Sequence, residues 1–145
     1  MANNNIYSAG LNNVGTYQVS GAPFVTSSLI PASASGPPNW KIEFPYVTKL
    51  ITITNNSTSA HDLIRIAFSQ EGLKNEVANY FVIGSTKDGD GSTTLDVKAT
   101  ELYVMSDSSH TPMVSIYASL TNLPIARVNN ISPSGSNWSG SIGVG

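Results

Sequence analysis

The sequence predicts an all-β fold, an antiparallel β-sandwich of jelly-roll or immunoglobulin-like type with about seven or eight short strands and an extended arm at each end. Apolar residues recur with period two from Trp40 to Leu120. Turn-forming clusters interrupt them every ~8–12 residues. No stretch carries a helix-length 3.6 periodicity that could build crossovers, so a parallel α/β fold is excluded. At 145 residues the chain fits one domain with a sizeable core.

Each element follows from local pattern. Trp40, Ile42, Phe44 and Tyr46 alternate with Lys41, Glu43 and Pro45, a half-buried strand that Pro45 ends or bends. Val47, Ile51 and Ile53 alternate with Thr48, Thr52 and Thr54, an almost wholly β-branched strand. After the Asn55–Ser59 turn, Ile64, Ile66 and Phe68 face one side. Gly72 limits the helical character of residues 70–78 to a turn or two, and Tyr80–Ile83 reads as a central strand. Three further alternating runs are centred on Leu95, Val104 and Ile116. The expected organisation is an arm over 1–36, closed by Gly36-Pro37-Pro38, a sandwich over 37–121 and a Gly/Ser-rich tail over 122–145. Within the arm, short extended pieces are expected near Tyr17–Ser20 and Phe24–Thr26.

Composition narrows the function. Charged residues make up 11% of the chain, against about 25% in an average soluble protein. Ser, Thr, Asn and Gly account for 59 of 145 residues, so neutral hydrogen-bonding groups replace ions at the surface. Seven Lys and Arg are scattered singly, without the basic stripe that phosphate backbones require, so nucleic acid is not an expected partner. Cysteine is absent, which excludes disulfides and thiolate metal sites. No run approaches the ~20 apolar residues of a membrane span, and the N-terminus has no export-signal pattern, so synthesis in a cytoplasm without membrane insertion is expected. Asn-x-Ser/Thr sequons at Asn55, Asn56, Asn130 and Asn137 are attributed to chance in so Asn- and Ser-rich a chain.

No catalytic signature survives inspection, and no enzyme activity or cofactor is expected. Lys87-Asp88-Gly89-Asp90-Gly91 resembles a calcium loop, but counting from Asp88 places Thr93 and Ala99 where an EF-hand needs glycine and a bidentate glutamate. It is read as a glycine-permitted hairpin turn between Ile83 and Leu95. His61 and His110 each precede a strand and are read as polar loop residues, since no nucleophile elbow surrounds any serine. Glu43, Asp96 and Glu101 read as solvated strand positions. Tyr103 and Tyr117 fall on the faces opposite Val104 and Ile116, which makes them the candidates for an outer aromatic contact, for instance with a sugar.

The flanks carry the strongest functional signal. Ile6, Tyr7, Leu11 and Tyr17 in the arm, and Ile131, Trp138, Ile142 and Val144 in the tail, are isolated apolar points among Gly, Ser and Asn. Ordering such segments costs about 1–2 kcal/mol of backbone entropy per residue, which sparse anchors offset only on a prepared surface. The expected partners are therefore other protein subunits, gripped by extended segments. The stretches IYSAGLNNVGTYQVSGAPFVT, FPYVTKLITITN and NNISPSGSNWSGSIGVG together resemble small structural proteins of tailed bacteriophages, notably marine ones. That resemblance implies a virion protein of the capsid decoration (cement) or minor capsid type. It also implies many copies, homo-oligomeric or symmetric assembly, and contact with a major capsid protein or other virion subunits. The alternative is a receptor- or carbohydrate-binding module of a tail or fibre.

Overall fold

Alternating β-branched and aromatic positions form eight strands in the computed structural model, which describes residues 22–32 and 39–127. In chain order they are β1 (Ala22–Leu29), β2 (Trp40–Glu43), β3 (Tyr46–Asn55) and β4 (Ile64–Ala67). Then come β5 (Phe81–Ile83), β6 (Ser92–Leu95), β7 (Glu101–Ser106) and β8 (Met113–Pro124). They make two antiparallel four-stranded sheets, ordered β1-β8-β3-β6 and β2-β7-β4-β5. The pairs β1–β8, β2–β7, β3–β6 and β4–β5 are the rungs of one long hairpin folded at the β4–β5 connection. Wrapping that hairpin around a core adds the contacts β8–β3 and β7–β4. This is the eight-stranded jelly roll, which decides between the two sandwich types left open by the sequence.

Inward positions of both sheets form one core. Ile51, Ile53, Ile116 and Ala118 of the first sheet face Ile42, Leu102, Val104, Ile64 and Ile66 of the second. Phe24 of β1 packs edge-on against Phe44, with ring centroids 5.2 Å apart. Pro45 bends the chain between β2 and β3, as expected. A bulge follows between Tyr46 and Leu50. Buried Thr48 pins it, donating to the Val97 carbonyl at 2.7 Å and accepting from the Ala99 N–H at 2.9 Å. Thr121 secures the other side by donating to the Val47 carbonyl at 2.8 Å.

Three expectations need correction. The sandwich reaches further into both flanks than the boundaries 36 and 121, because β1 pairs along its whole length with β8 and β8 continues to Pro124. β5 is an edge strand rather than a central one. The segment between Ile83 and Leu95 is not a hairpin, since β5 and β6 lie in different sheets and the connection crosses between them.

The topology gives the molecule two distinct ends. Ala22 lies opposite Leu120, so the chain enters β1 and completes β8 at the same end of the same sheet. The connections 56–63, 84–91 and 107–112 collect at the opposite end, where the Ile30 N–H meets the Pro112 carbonyl at 2.9 Å and the Asp107 N–H meets the Leu63 carbonyl at 2.8 Å.

Candidate functional site

The loop end is held together by a buried polar cluster. Asn55, fully buried at the end of β3, donates through Nδ2 to the carbonyls of Asp62 at 2.6 Å and Gly84 at 3.0 Å. Its Oδ1 accepts from the Ser57 N–H at 3.2 Å. One amide side chain thus ties together the β3–β4 and β5–β6 connections. Asp62 accepts on Oδ2 from the Ser57 hydroxyl, and its Oδ1 lies 2.6 Å from Nδ1 of His110. The Asp62 side chain is 3% exposed, whereas that of His110 is 61% exposed. Burial alone would push the Asp62 carboxyl up. The hydrogen bonds from Ser57 and His110, with the nearby imidazole charge, outweigh it and hold the group below its ordinary value.

A second brace lies alongside. His61 adopts φ 66°, a left-handed conformation in which His is enriched. This lets its N–H donate to Asp88 Oδ2 at 2.8 Å. The Ser85 hydroxyl donates to the same oxygen at 3.0 Å. These two hydrogen bonds lower the Asp88 carboxyl from its ordinary value, that from His61 most. The glycines of this loop have separate tasks. Gly89 takes φ 90°. A Cβ on Gly91 would lie 2.3 Å from the Thr86 nitrogen, so only glycine allows the chain to pass there. Asp88 is thus a loop brace. Among the described residues no group of three or more His, Asp or Glu side chains is placed to hold a metal ion.

Asp62 and His110 border an open groove of about 520 Å³, lined also by Asn56, Ser59 and Thr111, with Leu29 and Met113 at its apolar rim. A carboxylate on Nδ1 makes that nitrogen the donor and fixes the orientation of the ring. The Ser57 hydroxyl is engaged with the carboxylate rather than the ring. The arrangement can orient a hydrogen-bonding partner.

Of the sequence-predicted contacts, Tyr117 is 42% exposed on the outer face of β8. Tyr103 does not reach solvent in the same way, at 8% exposed. The β4–β5 connection folds its 3-10 turn, Glu71–Leu73, over the outer face of the second sheet. Leu73, Ala67, Tyr80 and Met105 then enclose the Tyr103 ring. Its hydroxyl donates to Glu101 at 3.2 Å, and Lys41 Nζ sits 5.9 Å from the ring centroid. Ion pairs with Glu43 first, then Glu101, raise the Lys41 ammonium above its ordinary value. The anchors Ile6, Tyr7, Leu11, Tyr17, Ile131, Trp138, Ile142 and Val144 lie outside the described residues. The Asp62–His110 pair escaped the sequence reading because 48 positions separate its members. Only the topology, which brings the β3–β4 and β7–β8 connections to one end, puts them together.

The chain matches no known family model, and no curated protein is similar to it in sequence. No helix among the described residues is long and apolar enough to cross a membrane.

Proposed function

We propose that this chain is a non-enzymatic structural subunit of a virion, a decoration or cement protein that binds the outer capsid shell and its neighbours through its terminal segments. The observation that carries the reading is the pairing of Ala22 with Leu120. It puts Ala22, the first residue of β1, and Pro124, the last of β8, at one end of one sheet. The jelly roll supports the reading because this architecture serves capsid and lectin domains. Cementing then means adding contacts across joints between capsomers, which must be broken before the shell opens. Deleting residues 130–145 tests it: particle binding is abolished or weakened while the melting temperature of the sandwich is unchanged. Decoration of particles with unaltered affinity overturns it.

The groove beside His110 favours a second reading, a receptor- or carbohydrate-binding module. Its hydroxyl, amide and imidazole groups fit a polyhydroxylated ligand, and Met113 and Leu29 supply an apolar rim. A glycan array with the intact chain and with His110→Ala distinguishes the two. Hits lost in the variant support the module, and an array without hits rejects it.

A further inference from the structure

The four sheet edges are not equally protected. β5 has three residues and β6 four, too short to template a long partner strand. β2 carries Lys41 and Glu43, already joined by an ion pair at 2.7 Å. β1 has eight residues and no charge. On the outer face behind it, Pro23, Val25, Ser27 and Leu29 on β1 adjoin Met113, Ser115, Tyr117 and Ser119 on β8, and these adjoin Leu50, Thr52 and Thr54 on β3, none of them charged. Val25 is 71% and Leu29 59% exposed. The outer face of the second sheet, by contrast, carries Lys41, Glu43, Glu101 and Arg65.

The register says which main-chain groups are offered. Ile30 donates to Pro112 at 2.9 Å, so in this antiparallel ladder the even-numbered residues of β1 bond to β8. The odd-numbered residues therefore turn their main-chain groups to the edge that no described strand pairs. Pro23 has no N–H, so it offers only its carbonyl. Val25 and Ser27 offer both groups. Leu29 offers its N–H, because its carbonyl already accepts from the Ser28 hydroxyl at 3.3 Å.

We propose that β1 is a homotypic interface, at which a second copy of this chain adds its own β1 antiparallel about a two-fold axis through Thr26. That register sets Val25 against Ser27 and Pro23 against Leu29 of the copy. Val25 and Ser27 exchange N–H and C=O bonds, and the Leu29 N–H reaches the Pro23 carbonyl. The donor that proline lacks falls opposite the carbonyl that Ser28 already occupies. An axis on Val25 or Ser27 would lose this match. Because the register relates residues of like parity, both outer faces stay on one side and the two sheets become one continuous eight-stranded sheet. No charge opposes its own copy across the joint. The contact does not depend on the virion reading, since it needs only this chain.

The native chain has no cysteine, so single-cysteine variants report the register directly. Across the axis the two copies of Thr26 are a pair with Cα atoms about 4.5 Å apart, within disulfide reach. The copies of Leu29 lie about 20 Å apart. In the full-length chain, Thr26→Cys is expected to form a disulfide dimer at least about tenfold faster than Leu29→Cys. The cysteine-free chain is expected to pass from monomer to dimer in sedimentation between about 5 µM and 500 µM, as suits a small interface. Ser27→Pro removes a donor used only at the edge, so it should fold normally and weaken the dimer about tenfold or more. A chain monomeric throughout, with no disulfide at position 26, overturns the proposal; this is the result expected if residues 1–21 cover the edge. Equal cross-linking at positions 26 and 29 also overturns it, as does a Ser27→Pro chain that dimerises undiminished.

Discussion

Replacing His110 by alanine probes the buried carboxylate at the loop end. The imidazole is largely in solvent, so its removal costs little packing. What it leaves behind is Oδ1 of an ionised Asp62 whose side chain is 3% exposed and which has lost a 2.6 Å hydrogen bond. Stranding a buried charged acceptor costs about 1–3 kcal/mol. With roughly 3–5 °C per kcal/mol for a domain of this size, the melting temperature at pH 7 should fall by roughly 3–15 °C. Thermal unfolding followed by circular dichroism measures this. The pH dependence supplies an independent signature. The folded-state value of Asp62 lies below its unfolded value, so its contribution is complete above the ordinary carboxylate range. It is lost as pH falls from about 4 through the lowered folded value. His110→Ala should therefore flatten the loss of stability below about pH 4. Adding Asp62→Asn should recover part of the deficit, because a neutral amide tolerates the vacant position better. A His110→Ala chain melting within about 1 °C of the parent at pH 7 would refute the reasoning.

Other substitutions separate packing from surface. Gly91→Ala should destabilise by about 1–3 kcal/mol through its clash with the Thr86 backbone. Gly89→Ala, with open space around its Cβ but φ 90°, should cost only about 1–2 kcal/mol; chemical denaturation ranks the two. Thr48→Val keeps the volume but leaves the Val97 carbonyl and Ala99 N–H without their hydroxyl partner, an expected loss of about 1–3 kcal/mol by urea titration. Tyr103→Ala should cost about 3–5 kcal/mol as a buried aromatic truncation. Tyr117→Ala, on the open face, should stay within about 0.5 kcal/mol, and equal effects at the two tyrosines would contradict their placement.

Alternation made the sandwich legible, because Ile51, Ile53, Ile116 and Ala118 must share a face. At β1 it marked only the extended piece Phe24–Thr26 and missed the rest of Ala22–Leu29, for a physical reason. There Val25 and Leu29 face outward, while Thr26 and Ser28 share the inward face with Phe24, so the apolar pattern is partly inverted. Pairing with β8 makes the strand, and pairing is not local information. Tyr103 shows the limit of periodicity from the other side. Its face was read correctly, but alternation says nothing of a connection such as residues 68–80 folding over that face. The site at the loop end was least legible of all. Asn55, Asp62 and His110 look like turn residues one at a time, and only wrapping the hairpin converts three turns into one hydrogen-bonded cluster.

The proposed virion role is tested most directly by a cryo-electron microscopy map of purified particles that carry the chain. The account predicts jelly-roll density on the outside of the shell at symmetry-related positions, with the Ala22–Leu120 end directed at neighbouring subunits and residues 130–145 in contact with them. Particles lacking this density, or sandwiches seated by the Asp62–His110 end with residues 130–145 touching nothing, would contradict it.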